Sequence, residues 1–291
     1  VTPRRALRYR PTVPGTERFT LRYRQSMIVD VTGMVPEGAP PGDVKPIVIQ
    51  EPVVGLEIVG DLAPRAPDVA MRWRADKVVV GGSNPGFDDT PPSNPTDARI
   101  AAATRAYESL AGDVDITSNG VCRSHTLDVE PTAAMPNQQE LESIAWTVRT
   151  LPTPFPVEPV GVGAIWEVTE VVRFTGMRLR HTLRYELVSL DGDRVEVKAS
   201  VTQIANEQVV DAMATGMGET KVKLLALTGR GQSHQIVHLD HLAPSAGTFQ
   251  MRLEMEVEFS DLPFPGVMSP MPGRLLVDVE MGLGRVADDD R

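Results

Sequence analysis

The sequence predicts a mainly β protein with one large, curved antiparallel sheet, a half-barrel or barrel, and two short amphipathic helices as its lid. Three observations lead to this fold class: long segments that alternate between apolar and polar residues, Asn-Gly and Asp-Gly turn signals, and only two stretches with helical periodicity. The clearest alternation covers residues 249–259, where every odd position is apolar and every even position is polar. Such a strand lies between an apolar interior and water.

The first part of the chain is expected to be extended. Residues 1–17 are interpreted as an N-terminal extension, and the first strand covers residues 18–32. Only Gln25 interrupts the apolar row of that strand, whose opposite face is charged. Two further extended segments are predicted over residues 46–62 and 69–80.

Two helices and a hairpin are predicted in the middle of the chain. The first helix covers residues 94–111 and has Pro95 at its first position, where proline is well tolerated. The second covers residues 137–150, with Glu140 placed to complete a capping box. Between them, Asn119 and Gly120 predict the turn of a β-hairpin.

The second half of the chain reads as strands. A Pro-rich connector, residues 151–163, joins the sheet-rich halves 18–150 and 164–283 of one domain, and residues 284–291 form an acidic tail. Asp191-Gly192 predicts a tight hairpin, and we interpret Gly229-Arg230-Gly231 as a second tight turn. The predicted strands cover residues 164–175, 177–190, 194–204, 221–227, 232–242, 248–260 and 274–283.

The predicted sheet offers more apolar area than the predicted helices can cover. Ten to twelve strands give one face on the order of 1,500 Å², whereas two short helices cover about 400 Å². The sheet must therefore curl, which favours an internal apolar cavity. The alternative is an ordinary filled core. The candidate cavity residues are Met27, Val29, Trp73, Leu183, Tyr185, Met251, Leu253, Met255 and Phe259.

Composition excludes several partners. The chain carries 29 basic and 39 acidic residues, a net charge of -10, which argues against nucleic acid or an anionic membrane as partner. No segment approaches the roughly 18 consecutive apolar residues of a membrane-spanning helix. A single cysteine allows neither an intramolecular disulfide nor a cysteine-based metal cluster. The sequence predicts no cofactor.

One histidine cluster is a candidate metal site. On a strand, His234, His238 and Asp240 share a face while His241 points away, which leaves a loose set of two histidines and one carboxylate. The alternative is that these histidines are exposed or pair with carboxylates, and we assign them no metal.

Other reactive side chains form no recognisable catalytic set. Cys122 and His125 are expected on opposite faces of one strand, and Asp88-Asp89 is interpreted as an acidic pair in a loop. No catalytic residue is predicted. Four methionines in predicted loops allow a soft-metal alternative: Met213, Met217, Met268 and Met271.

Short Gly/Pro motifs after the chain midpoint resemble a known family. Leu-Pro at 151–152, Pro-Val at 156–157, Gly-Val-Gly at 161–163 and Trp166 resemble a domain-of-unknown-function family of exported bacterial proteins and lipoproteins. The strand-rich order also looks like the half-barrel of periplasmic lipoprotein and lipid carriers of the LolA and LppX kind. This resemblance implies a periplasmic or cell-surface protein, or one anchored to lipid through a removed N-terminus. It implies no catalytic residues.

These observations lead to a first hypothesis: a non-enzymatic carrier of a lipid or other apolar ligand in the bacterial envelope. The alternative hypothesis is a structural or protein-interaction module of an envelope assembly, which binds another protein through a strand edge or loop. A hydrolase or metal enzyme is the third hypothesis.

Overall fold

The computed structural model describes residues 4–30, 46–50, 53–66, 68–81, 104–105, 107–128, 138–174, 177–210, 221–260 and 270–286. These residues form thirteen strands of one sheet and one helix. The strands are β1 (Gly15–Asp30), β2 (Ile47–Gln50), β3 (Val53–Arg65), β4 (Asp68–Gly81), β5 (Ala111–Ile116), β6 (Cys122–His125), β7 (Ile165–Phe174), β8 (Met177–Asp191), β9 (Arg194–Ala205), β10 (Gln208–Val210), β11 (Lys221–His238), β12 (Ala246–Ser260) and β13 (Met271–Arg285); the helix is α1 (Gln138–Arg149).

The sheet is antiparallel throughout and consists of two meanders that meet at its centre. Its order is β6-β5-β4-β3-β1-β13-β12-β11-β9-β8-β7, with β2 beside β1 and β10 beside β11. The first and last strands of the chain, β1 and β13, pair over twelve residues. Among the described residues, β6 and β7 lie at the two ends of the sheet and do not pair with each other. The predicted curved antiparallel sheet is therefore confirmed, and it does not close into a barrel.

The predicted alternation is confirmed in β12. Phe249, Leu253 and Val257 are buried, while Gln250 and Arg252 between them are exposed. A charged outer face and an apolar inner face result because side chains alternate along a strand.

The predicted turn at Gly229-Arg230-Gly231 is wrong, because these residues lie inside β11, one continuous strand of 18 residues. A Cβ added at Gly229 would lie 2.6 Å from Leu253 Cδ2, and one added at Gly231 would lie 2.5 Å from the Gln250 carbonyl oxygen. The glycines therefore allow close approach to β12, which is a role of glycine within strands.

The N-terminal segment closes one end of the sheet. Leu7 and Tyr9 are buried there, although residues 1–17 read as an extension. Glu17, also buried, accepts hydrogen bonds from the backbone N–H groups of Leu242 (2.8 Å) and Ala243 (2.9 Å) in the β11–β12 turn. A carboxylate bonded twice to backbone N–H groups offsets the cost of its own burial.

The Pro-rich connector crosses the gap between the two ends of the sheet. Asn119, in the β5–β6 turn, accepts a hydrogen bond from the Phe155 backbone N–H at 2.7 Å and donates its amide to the Phe155 carbonyl at 3.0 Å. On the other side, the indole N–H of Trp166 in β7 donates to the Pro154 carbonyl at 2.8 Å. The connector thus links β5–β6 to β7 where strand pairing is missing.

Helix α1 fills the inside of the curved sheet. The helix predicted over residues 137–150 is confirmed, and its predicted role as a lid stays a prediction. Ile144, Ala145, Thr147 and Val148 are all buried, and at about 100° per residue they form one face that covers about 160° of the helix. The C-terminal half of α1 therefore packs one face against the interior of the sheet. The helix predicted over residues 94–111 lies mostly outside the described residues.

Candidate functional site

Two small cavities adjoin α1 inside the sheet. Each has a volume of about 40 Å³, and Trp146, Phe249 and Met281 line both of them. The first lies between α1 and strands β1, β7, β9, β12 and β13; the second lies between α1 and strands β8, β11, β12 and β13. The first cavity is otherwise lined by Tyr23, Gln25, Val172, Gln203, Met251, Leu253, Val277 and Val279.

A buried hydrogen bond fixes the protonation of His181 beside this region. The side-chain amide nitrogen of Gln203, which lines the first cavity, lies 2.9 Å from His181 Nδ1. Because an amide nitrogen can only donate, Nδ1 accepts and the neutral ring carries its proton on Nε2. Burial lowers the pKa of His181 to about 4, and the positive charge of Arg149 acts in the same direction. His181 is therefore neutral at pH 7.

Two buried donors near the cavities have no acceptor. His181 Nε2 and the indole Nε1 of Trp146 are both buried and make no hydrogen bond within the described residues. The two rings lie edge to face, with centroids 5.0 Å apart and planes at 82°. Buried polar groups without a partner are costly in a folded protein, so such a pair points to a missing acceptor.

A third polar side chain, Gln25, borders the first cavity. It is buried and accepts a hydrogen bond from the Tyr23 hydroxyl. Gln25, His181 and Gln203 each occupy an inward position in an otherwise apolar row. A polar residue at an inward position is the sequence signal for this cluster. Of these residues, the sequence pattern singled out only Gln25. It did not predict His181, Gln203 or Trp146 as site residues.

The predicted cavity residues divide into two groups. Met251 and Leu253 line the first cavity, and Leu183 and Tyr185 line the second. The other five belong to the core or pack against it and line neither cavity. They are Met27, Val29, Trp73, Met255 and Phe259.

The structure does not assemble the histidine cluster into a metal site. His234 Nε2 lies 2.9 Å from Glu196 Oε1, and His241 lies 3.6 Å from Glu17. In the described ranges, no group of three or more His, Cys, Asp and Glu side chains, including His238 and Asp240, could hold a metal ion. Cross-strand pairing with a carboxylate explains the position of His234.

The predicted separation of Cys122 and His125 is wrong. A bulge in β6 places Cys122 opposite Ile116 and His125 opposite Val114, so both lie on the same face. The Cys122 thiol donates to the Ser124 carbonyl oxygen at 3.3 Å, and burial raises its pKa. A thiol with a raised pKa is a poor nucleophile. Met213, Met217, Met268, Asp88 and Asp89 lie outside the described residues.

Arg149, at the end of α1, pairs with Glu170 of β7. Both side chains are largely buried. The Glu170 carboxylate therefore balances the charge of Arg149, the cation that acts on His181. Among the described residues, no backbone hydrogen bond joins α1 to a strand. The helix is thus held in the sheet by side-chain contacts alone.

No protein-family model and no curated protein matches the chain. Among solved structures, an outer membrane channel from Pseudomonas putida F1 is 7% identical over 95% of this chain and 97% of that chain, with a TM-score of 0.22. The secretin-domain β-barrel of InvG from the Salmonella SPI-1 injectisome is 9% identical over 94% and 62%, with a TM-score of 0.16. Similarity at these TM-scores establishes neither a shared fold nor a shared function. The resemblance to exported bacterial proteins stays a prediction.

The helical part of the described chain offers no candidate for a membrane-spanning segment, because no helix there is both long and apolar enough.

Proposed function

We propose that this protein is a non-enzymatic carrier of an apolar ligand with one uncharged oxygen, bound inside the sheet by Trp146 and His181. The observation that carries the proposal is the pair of buried, unpartnered donors beside cavities with mainly apolar linings. Ligand sites of this kind combine an apolar wall with a few polar groups that fix orientation. An oxygen that accepts from both N–H groups would satisfy them together.

The charge state of the site favours a ketone, ester or amide oxygen over a carboxylate. His181 is neutral at pH 7 because its pKa is lowered to about 4, and Arg149 is already paired with Glu170. A carboxylate would lose its hydration without gaining a free cation, which is strongly unfavourable. A neutral oxygen loses much less on burial.

The cavities are too small to hold a ligand with an alkyl chain in the described conformation. A volume of about 40 Å³ is far below the roughly 300–1,000 Å³ of typical ligand pockets. Helix α1 has 12 residues and occupies a cylinder of about 1,400 Å³. Because only side chains hold α1, its displacement would leave the strand ladder intact. We infer that a ligand takes the place of part of α1.

The carrier is tested by what it binds. We expect organic extraction of protein purified from its native source to release an apolar carbonyl compound that mass spectrometry identifies. In titrations followed by tryptophan fluorescence, methyl laurate should bind more tightly than dodecane, which has no oxygen, and laurate should bind most weakly.

A pair of tryptophan variants separates the hydrogen bond from the apolar contact. Trp146→Phe should weaken methyl laurate binding about tenfold, the value of one buried hydrogen bond, and leave dodecane binding unchanged. The matched control is Trp166→Phe, which removes an indole N–H that already has the Pro154 carbonyl as partner. Equal loss in both variants, or no binding of any probe, would contradict the proposal.

The bacterial envelope, as the location of this carrier, is proposed from the sequence resemblance alone. Fractionation of the native host tests it: recovery with the periplasmic or membrane fraction is expected, and recovery with the cytoplasmic fraction would contradict it.

A second candidate function, protein interaction through the sheet edge, is favoured by β7. This strand ends the sheet order and exposes Ile165 (55%) and Val171 (58%). Exposed edges can pair with a strand of another protein. A photo-crosslinking residue at position 171 should then give one discrete adduct in the native host, and the same residue at the exposed control position Val121 should not.

A further inference from the structure

The outer face of the sheet carries a polar row that crosses six neighbouring strands. Cross-strand partners place one residue from each of β1, β13, β12, β11, β9 and β8 side by side. At a strand spacing of about 4.8 Å, the row is about 24 Å long. We call it the outer row: Arg24, Glu280, Gln250, Gln232, Ser200 and Arg184.

The outer row lies along two adjoining concavities of about 540 and 640 Å³. Gln232 and Gln250 line both of them, so the two form one continuous groove. The residues that line this groove include five Arg or Lys and three Asp or Glu side chains. The groove is therefore locally cationic, although the whole chain has a net charge of -10.

Three of these cations form no close ion pair, although Glu167 lies opposite Arg184 and Glu186 lies opposite Lys198 on the neighbouring strands. Within the described ranges, Arg184, Lys198 and Arg230 form no ion pair. Arg230 lies directly opposite Arg252 on the neighbouring strand, an arrangement of like charges that destabilises a sheet unless an anion lies nearby. Arg252 is itself bonded to both oxygens of Asp278, at 2.7 and 2.9 Å. Asp278 therefore already neutralises Arg252, and Arg230 is left as the cation of this pair that forms no ion pair.

The groups between the cations are amides and hydroxyls. Gln250, Gln232 and Ser200 are exposed in the middle of the outer row and can both donate and accept hydrogen bonds. Backbone groups of these central strands are already used in the ladders on both sides. An acidic peptide that adds to a sheet uses unpaired backbone groups at an edge, which this face lacks. A groove that combines cations with exposed amides and a hydroxyl instead suits a hydroxyl-rich polyanion.

We propose that the groove binds a linear acidic polysaccharide, with Arg184, Lys198 and Arg230 contacting its anionic groups and the central amides and hydroxyl contacting its sugar hydroxyls. This binding is independent of the interior ligand. Because the contacts are exposed, the affinity falls as ionic strength rises. The remaining surface, which is net acidic, repels the same polymer and directs it to the groove.

Binding of polymers to the full-length protein tests the proposal, with fluorescence polarisation as the readout. Alginate represents a carboxylated glycan, dextran sulfate a sulfated one, dextran a neutral one and poly-glutamate an acidic peptide. Alginate or dextran sulfate should bind at low salt, more weakly at physiological salt, and more tightly than either of the other two. The stronger of the first two identifies the anionic group.

A charge-matched pair of double variants locates the site. Lys198→Gln with Arg230→Gln should weaken binding of the acidic glycan about tenfold, since each exposed ion pair contributes modestly. The control, Arg65→Gln with Arg74→Gln, changes net charge equally but removes cations that already pair with Asp115 and Asp61. It should change binding less than twofold. Circular dichroism confirms that both variants are folded.

Four outcomes would overturn the proposal: no binding of either acidic glycan at low salt, equal binding of dextran, equal or tighter binding of poly-glutamate, or equal losses in the two double variants. Tighter binding of poly-glutamate would assign the groove to an acidic peptide. Equal losses would assign the binding to general charge attraction.

Discussion

The half of the sheet formed by β1 and β3–β6 differs from the half formed by β7–β13 in how completely its groups are partnered. In the first half, the buried side chains of Met71 and Trp73 pack closely against the backbone at Gly60 and Gly112, respectively. On its outer face Arg18 pairs with Glu57 and Asp76, at 3.1 and 2.8 Å. Among the described residues, no buried side-chain polar atom of β1 or β3–β6 lacks a hydrogen-bond partner, and we interpret β3–β6 as scaffold.

The second half leaves groups without partners on both faces. Inside, Trp146 and His181 donate to no acceptor among the described residues. Outside, Arg184, Lys198 and Arg230 form no ion pair within the same residues. Unpartnered groups cost stability, and functional sites are where proteins retain such costs. The comparison therefore places the unpartnered groups in α1 and β7–β13, while β1 adds Tyr23 and Gln25 to the first cavity and Arg24 to the groove.

The largest expected effect concerns the acid sensitivity of the second half. Because burial lowers the pKa of His181 to about 4, the unfolded chain binds a proton below about pH 6.5 that the folded protein does not. Stability should fall between about pH 6.5 and pH 4, by about 3 kcal/mol in total, and stay unaffected above this window. Urea unfolding at pH 7 and pH 4 measures the loss.

His181→Gln isolates this contribution, because glutamine keeps an acceptor for Gln203 and does not titrate. The variant should lose about 3 kcal/mol less than the wild type over the same window. An identical loss in the two proteins would show that His181 is not the group responsible.

The next effect compares a crowded glycine of the first half with an open one of the second. A Cβ at Gly112 would lie 2.2 Å from the Thr126 carbonyl oxygen and 2.9 Å from Trp73 Nε1. Gly112→Ala should therefore lower the free energy of unfolding by about 2 kcal/mol. In the second half, the nearest atom to a Cβ at Gly282 is 3.9 Å away, so Gly282→Ala should change it by less than about 0.5 kcal/mol. Similar losses in both variants would contradict the difference in packing between these two positions, which is local because Gly229 and Gly231 of the second half are also crowded.

The smallest effect separates a partnered indole from an unpartnered one. Trp166→Phe should cost about 1 kcal/mol because the Pro154 carbonyl loses its donor. Trp146→Phe should be close to neutral, since it removes a buried N–H that has no partner. Thermal or urea unfolding of the two variants measures the difference, and an equal cost would show that Trp146 has an acceptor.

Local patterns predicted the elements well but not their arrangement. The alternation of residues 249–259 gave β12 its buried and exposed faces, and Asp191-Gly192 gave the β8–β9 hairpin, where Gly192 has a φ of +54°. Gly229 was misread because a glycine that lets two strands approach looks, in sequence, like a glycine in a turn. Local patterns carry no information on which strands lie next to each other.

The candidate site depends on such long-range placement. Gln25 and Gln203 border one cavity only because β1 pairs with β13 and α1 enters the sheet. Each polar residue alone could be an ordinary interruption of an apolar row. The pairing of first and last strands brings them together, and no periodicity in the sequence encodes it.

The central claim is that a ligand occupies space now filled by α1. Thr147 Oγ1 lies 3.2 Å from Met281 Sδ, so cysteines at these positions can be joined by a short bis-methanethiosulfonate that reductant removes. In Thr147→Cys with Met281→Cys and Cys122→Ser, methyl laurate binding should disappear on crosslinking and return on reduction. Unchanged binding in the crosslinked protein would contradict the claim.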